Sequence, residues 1–589
     1  MRRAVVVALV SALFATGCAS IPTSGPVQQG AVLDAGRDDQ FIRVIARPPR
    51  AGMTPLEVVR GFLEASAGGT EGLAIAEEYL TVGRAKDWAP EVGVQVYDDS
   101  GLALTETPTR VVDVSGGLTG RIDGRGAYRV APPTRSLHAR FTVLRVDGEW
   151  RIDTCPDGLI LSEGDVERGF RTLPTYFFDT SFSTLVPDAL TVPVVGAGLA
   201  TTVVRSLLKG PTRWLAPAVK TAFPEGTALV IDSVPVDAGV AQVDLTREAL
   251  SADDKTRQAL SAQLVWSLRS LPDVTGVRIT VAGQPFPVPG VGAVQSITAW
   301  STYSADSASS GAGPSVYVIS RGAVHRLDVG VTGDASAPRS PSVPVAGPAG
   351  KPGSSWSDPA VSEDGRQVAV LDRDATGLWS GRLGGGQALF RRVTGVQLSA
   401  PSWDRFGGLW VVDRDSGVKL VQPGRAVQSV PLVSVDPDQG LGRLTASNVD
   451  AIAVSSDGAR AALQVRVGGR SLAVVARVER RGDGVRLADP HRVEGILTDV
   501  TDVSWASTSE LSILGTSGAS ASSLLIVDFG PSARRVTSPP AGATALAAAP
   551  RRPLVVAAAG GGGQIGATQI WIQVAGSWVL RAPGNDPAY

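Results

Sequence analysis

Cysteine is almost missing from this chain: Cys18 and Cys155 are the only two in 589 residues. That excludes a disulfide framework and a thiolate metal cage. Histidine is nearly as scarce. His138, His325 and His491 lie far apart in sequence, so each reads as a surface or packing residue and not as a ligand or general base. Lysine occurs only at Lys86, Lys209, Lys220, Lys255, Lys351 and Lys419, and arginine carries most of the positive charge. The formal net charge is -1, leaving no field to attract nucleic acid or anionic lipid. No apolar run reaches the roughly 20 residues a membrane-spanning helix needs. HExxH, GxSxG, GxxxxGK[ST] and CxxC strings are absent. Gly196-Ala197-Gly198 opens like a dinucleotide loop, but Thr201 stands where the last glycine belongs, and no acidic residue follows about 20 positions on. The pairs Asp372/Asp374, Asp413/Asp415 and Asp436/Asp438 lack the downstream Glu of a calcium loop and read as turn residues. The expectation is therefore no catalytic residues, no metal and no cofactor.

What is present begins at the N-terminus. Arg2 and Arg3 precede an apolar run from Ala4 to Phe14, and Ala15-Thr16-Gly17-Cys18 follows. A positive start, a greasy core of about 11 residues and small residues before a cut site make a secretory signal, residues 1–17. The cysteine directly after the small pair resembles a lipobox, although Ala15 stands where Leu is usual. The resemblance implies S-diacylglycerol and N-palmitoyl chains on Cys18, and two or more acyl chains give stable anchoring. The chain is expected to be exported and held by lipid on the outer face of the cell membrane. Residues 18–50, with Ile21-Pro22-Thr23-Ser24-Gly25-Pro26, read as a flexible tether.

The rest, about 540 residues, is long enough for several domains of roughly 150 each. Residues 51–170 read as an α+β domain. Thr54-Pro55 opens a helix whose Leu56, Val59, Phe62 and Leu63 share a face. Strands follow over 92–97, 110–114 and 128–131, then a hairpin of 139–146 and 149–153 turning at Asp147-Gly148. Helices followed by a meander ending in Asp-Gly-Glu-Trp-Arg-Ile look like the nuclear-transport-factor-like cone, whose concavity can hold a ligand. Cys155, just past the hairpin, reads as a small packing residue.

Residues 171–295 form a second α+β unit. Strand patterns lie over 190–195, 228–234, 240–245 and 274–281, with helices over 199–208 and 253–271. Tyr176-Phe177-Phe178 with Leu185-Val186-Pro187, a helix closing on Leu207-Leu208-Lys209-Gly210-Pro211, then Phe223-Pro224-Glu225-Gly226-Thr227, Val243-Asp244-Leu245 and Gly276-Val277-Arg278-Ile279-Thr280-Val281 are similar to the GerMN module. Beyond residue 296 the composition turns to Gly, Ser, Val and Ala in short alternating strands. Residues 359–370 are echoed at 452–463, with weaker copies at 400–411, 503–513 and 546–556. Spacings of about 40 to 53 residues suit a four-stranded propeller blade. The pattern predicts a β-propeller of five to seven blades, six preferred, with 316–329 and 570–580 as candidates to close the ring.

Lipobox, cone-like domain, GerMN module and propeller, in that order, resemble the LpqB family of actinobacterial lipoproteins. The resemblance implies a non-catalytic accessory of the Mtr two-component system that contacts the sensor kinase's extracellular domain and affects envelope maintenance and division. Two other readings stay open. One is a binder of cell-wall glycan or peptidoglycan fragments, with Trp150, Trp214, Trp266 or the propeller tryptophans stacking on sugar. The other is a propeller hydrolase with carboxylates or a His gathered at the channel mouth.

Overall fold

The computed structural model describes residues 46–194, 198–306, 315–329, 341–434, 439–482, 484–518, 522–531, 534–535, 538–559 and 568–589. The signal, Cys18 and nearly all of the tether lie outside them, as do Asp436, Asp438, Gly196 and Ala197.

The first domain sets helices Pro55–Ser66, Gly69–Glu77 and Val82–Asp87 on one face of a curved sheet. Thr54 caps the first helix in a reciprocal box with Glu57, satisfying two end donors at once. Val58, Val59 and Phe62 then face the sheet, where Phe62 meets Phe141 edge-on and lies 5.1 Å from Trp88. The long strand Val111–Asp123 is the hub. It pairs with Ser136–Val146 along one half and with Gly93–Tyr97 and Tyr128–Val130 along the other. Large apolar side chains fill the space between helices and sheet, while a cavity of about 530 Å³ is lined by the domain's strand residues Val94, Leu118, Ile122 and Val130.

In the middle domain one helix, Asp254–Leu268, is buried on almost every side. Its apolar residues pack against both of the domain's sheets, and its polar ones are tied down. Gln263 accepts from Ala222 N–H and donates to the Tyr176 carbonyl at 2.8 Å; Ser267 Oγ accepts from Tyr176 N–H at 2.9 Å. Strands Val240–Leu245 and Gly276–Val281 run parallel beside it. Residues 228–234, expected to be a strand, form none. Pro235 lacks an N–H, Val234 N–H donates to Thr201 Oγ1 instead, and only Leu229 makes a bridge, to Leu245. At the other end the pairing carries on past residue 295: Val294–Ser296 joins Gly276–Val281, and Leu185 bridges Ser304.

The C-terminal part is a propeller with six blades. Blade 1 contains Ser315–Ser320, Ala323–Asp328 and Val343–Pro344, and its innermost strand is the chain's own end, Asn585–Ala588. The ring is thus clasped by first and last strands together. Residues 570–580 do not close it; they belong to blade 6, in Thr568–Val574 and Ser577–Pro583. The five sequence copies are the inner two strands of blades 2 to 6.

Candidate functional site

Every innermost strand carries a register shift. The shifts fall at Ser357/Ala360, Ser399/Ser402, Val449/Ala451, Val500/Asp502 and Ala543/Ala545, and in blade 1 opposite Tyr317/Ile319. A bulge bends a strand and re-aims its side chains. Here the bulges accompany a central channel of about 350 Å³ lined by Asp358, Asp502 and Asp586, from equivalent places in blades 2, 5 and 1. Asp358 and Asp586 hold left-handed backbone (φ 44° and 47°) ahead of Pro359 and Pro587, a conformation Asp tolerates better than most residues. These carboxylates stitch blades together. Asp586 Oδ2 accepts from Asp358 N–H at 3.3 Å, and Asp502 Oδ2 from Leu546 N–H at 2.7 Å. The same task falls to Ser402 for Val454 N–H and to Ser504 for Ala548 N–H, each at 3.0 Å. Burial pushes the Asp502 carboxyl up to about 7 and Asp358 to about 6, each further raised by its acidic neighbours in the channel.

The channel's tryptophans are engaged too. Trp403 Nε1 donates to the Ala360 carbonyl and Trp505 Nε1 to that of Ala453, each on the preceding blade. At the other end of the inner strands the channel meets Glu363, raised to about 7 by burial, and Arg405, whose Nη1 donates to Ser183 of the middle domain at 2.8 Å. The middle domain is seated on this rim. Asp306, in the link between them, accepts from Ser456 Oγ of blade 4 and from the N–H and Oγ1 of Thr508 of blade 5. Among the described residues no histidine or thiol lines the channel and no cluster of three metal-binding side chains occurs. What the channel offers is three buried carboxyls, two of which, Asp502 and Asp586, already accept from backbone N–H groups.

A second cavity, about 50 Å³, lies where all three domains meet. Trp214 is its pivot. Its Nε1 donates to the Asp489 carbonyl at 2.8 Å, its ring meets His491 edge-on at 4.6 Å, and Arg129 of the first domain lies 5.3 Å over it. Arg477 Nη1 donates to the Trp214 carbonyl, while its other nitrogens grip the buried Glu479. His491 is buried and its Nδ1 has no partner; Arg460, also buried, leaves Nε unpartnered. Such orphans each cost about 1–3 kcal/mol. Burial, then the Arg129 guanidinium with those of Arg477 and Arg460, pulls the imidazole well below its usual pKa, so it is held neutral, although the Asp489 carbonyl works the other way. Across the cavity, buried Asp188 accepts from Thr212 N–H at 2.6 Å and from its Oγ1 at 3.0 Å. Burial raises that carboxyl to about 6, against the hydrogen bonds from Thr212 and the charges of Arg460 and Arg129.

The residues singled out from sequence do not converge. His138 is exposed on its strand and His325 faces Ser342 Oγ at 3.2 Å. Cys155 is half-buried with Arg84 Nε 3.3 Å from its sulfur; burial nonetheless pushes the thiol up, away from nucleophilic character. Arg110 and Arg145 lie 5.7 and 5.0 Å over the Trp150 ring, and Trp266 is core under Arg269. Asp372 is a turn residue: burial works to raise it, but the N–H groups of Thr376 and Gly377 outweigh that and hold it low. Asp413 likewise accepts from Asp415 N–H and Ser416 Oγ. His491 and Trp214 do sit together, and no linear spacing could have paired them across 277 positions of chain.

Three domain families match this chain: "Lipoprotein LpqB, N-terminal domain" over residues 48–167, "Sporulation and spore germination" over 174–286, and "Lipoprotein LpqB beta-propeller domain" over 336–589. A protein named Lipoprotein LpqB from Thermobifida fusca is 30% identical over 551 residues, covering 86% of each chain. One of the same name from Streptomyces avermitilis is 32% identical over 540 residues, covering 86% of this chain and 84% of its own. Among solved structures, TolB from Acinetobacter baumannii aligns with a TM-score of 0.34 and 14% identity over 47% of this chain and 66% of that one.

Proposed function

Because the chain belongs to the LpqB lipoprotein family, we propose that it is a lipid-anchored docking body of the cell envelope, binding and regulating a membrane receptor without catalysis of its own. Cys18 is the acylated residue in this reading, and the outer face of the cell membrane is its site. The partner is the extracellular domain of the Mtr sensor kinase, as the family resemblance implies.

The observation that carries the reading is the three-domain junction. Trp214, Arg477 and Asp489 bind the middle domain to the propeller, while the Gly126 carbonyl accepts from Thr191 N–H at 2.7 Å and ties it to the first domain. A body locked this way presents one fixed surface and loses little freedom on docking. Tethering to the membrane raises its effective concentration beside a receptor without new contacts. Sugar stacking draws less support, because the faces of Trp150 and Trp266 are already covered by arginines.

Cys18→Ala tests the anchor. The variant is expected to appear, folded, in the medium instead of the membrane fraction; an unchanged membrane fraction would contradict the lipid assignment. Pull-down of the released ectodomain with the kinase's extracellular domain tests the partner, and saturable capture is expected.

A further inference from the structure

The first domain's cavity of about 530 Å³ falls within the roughly 300–1,000 Å³ that small-molecule sites occupy. Its walls are mostly apolar, built from Val94, Leu118, Ile122, Val130, Ala131 and Leu159. One side is cationic. Gln95 stands directly opposite Arg121, and Arg121 opposite Arg129, across three neighbouring strands, so the three side chains share one sheet face. Like charges facing each other on adjacent strands cost stability, yet this sheet keeps such a pair beside the cavity, and Arg135 joins the lining.

Most of the charge there is already answered. Asp157 Oδ1 accepts from Arg84 and from Ala89 N–H, and Asp123 Oδ1 from the N–H groups of Arg125 and Ala127. Arg129 lies over the Trp214 ring, and Arg135 has a partner of its own. Arg121 differs. Its exposed guanidinium makes no ion pair or hydrogen bond among the described residues, and neither does the half-buried Gln95 amide beside it. Water satisfies those two groups well enough, but it leaves the apolar walls wet.

We propose that this cavity binds a long-chain carboxylate, its acyl chain along the apolar walls and its carboxylate on Arg121 and the Gln95 amide. The planar carboxylate matches the guanidinium fork. A head group alone would meet an exposed arginine, an attraction worth little in water. The chain supplies the affinity, because each methylene it buries leaves water for an apolar wall. Gln439 of the propeller also lines the cavity, so the site spans two domains.

The test is calorimetric titration of the full-length chain carrying Cys18→Ala, which needs no detergent, with dodecanoate below its micellar concentration. One site per chain is expected. Octanoate, four methylenes shorter, should bind on the order of 100-fold more weakly. Dodecanol, which lacks the charge, should bind about 10-fold more weakly than dodecanoate. Arg121→Gln should cost dodecanoate the same factor of about 10 and leave dodecanol unaffected, with an unchanged thermal midpoint because the side chain is exposed. Gln95→Trp fills the cavity and should abolish binding; if it does not fold, the chain-length series and Arg121→Gln decide. No saturation by dodecanoate at about 1 mM would overturn the proposal. So would octanoate binding as tightly as dodecanoate, or dodecanoate binding indifferent to Arg121→Gln. The outcome is independent of whether the kinase domain binds.

Discussion

His491 and Asp502 are both buried titratable groups, yet they bend the stability of the protein in opposite directions. An unfolded histidine takes its proton near pH 6.5, whereas folded His491 resists it far lower. The unfolded chain then binds more protons, so the stability from His491 is full above about pH 6.5 and falls as pH drops further. Replacing it by Asn is expected to flatten this acid branch in a series of thermal midpoints. Asp502 has the reverse sign. Its folded carboxyl sits near 7 against about 4 when unfolded. Its contribution is full below about pH 4 and is lost as pH rises through about 7. Asp502→Asn keeps an acceptor for Leu546 N–H and removes the titration, so the difference between variant and parent should carry that slope. A flat difference curve across pH 4–8 would contradict the assignment.

Strands and helices were far more legible than the contacts among them. Helix 199–208 and strand 240–245 stand where the hydrophobic spacing put them, because each buries one face against a neighbour near in sequence. The Asp-Gly turn at 147–148 likewise announced its hairpin through local backbone chemistry. Ring closure was not legible. Asn585–Ala588 is short and polar, and it is a strand only because Ser315–Ser320, some 270 positions earlier in the chain, offers an open inner edge. Nor could a sequence show the recurrent bulges or the aspartates they carry into the channel, since a bulge leaves no residue signature of its own. The clasp has a consequence. Deleting residues 585–589 exposes the inner edge of blade 1 and opens a ring whose units cannot cover their own faces. Loss of a single cooperative transition and aggregation on heating are expected; an unchanged melting curve would show that the clasp is dispensable.

Across the whole molecule, the decisive feature is that three domains meet around one tryptophan. Gly440 marks how closely the propeller approaches the first domain: its backbone is left-handed (φ 64°), and a Cβ there would sit 2.6 Å from that of Pro132. Trp214→Ala removes the pivot's hydrogen bond and its contacts with His491, Arg129 and Arg477 together. A loss on the order of 3 kcal/mol is expected, with protease cutting between the middle domain and the propeller. If the variant stays as resistant as its parent, the domains are held by something else. The proposed docking role requires that locked surface to meet a receptor. Calorimetric titration of the purified ectodomain against the extracellular domain of the Mtr sensor kinase measures this directly. Saturable one-to-one binding, weakened by Trp214→Ala, is the predicted result, and a flat titration at high micromolar concentration would contradict it.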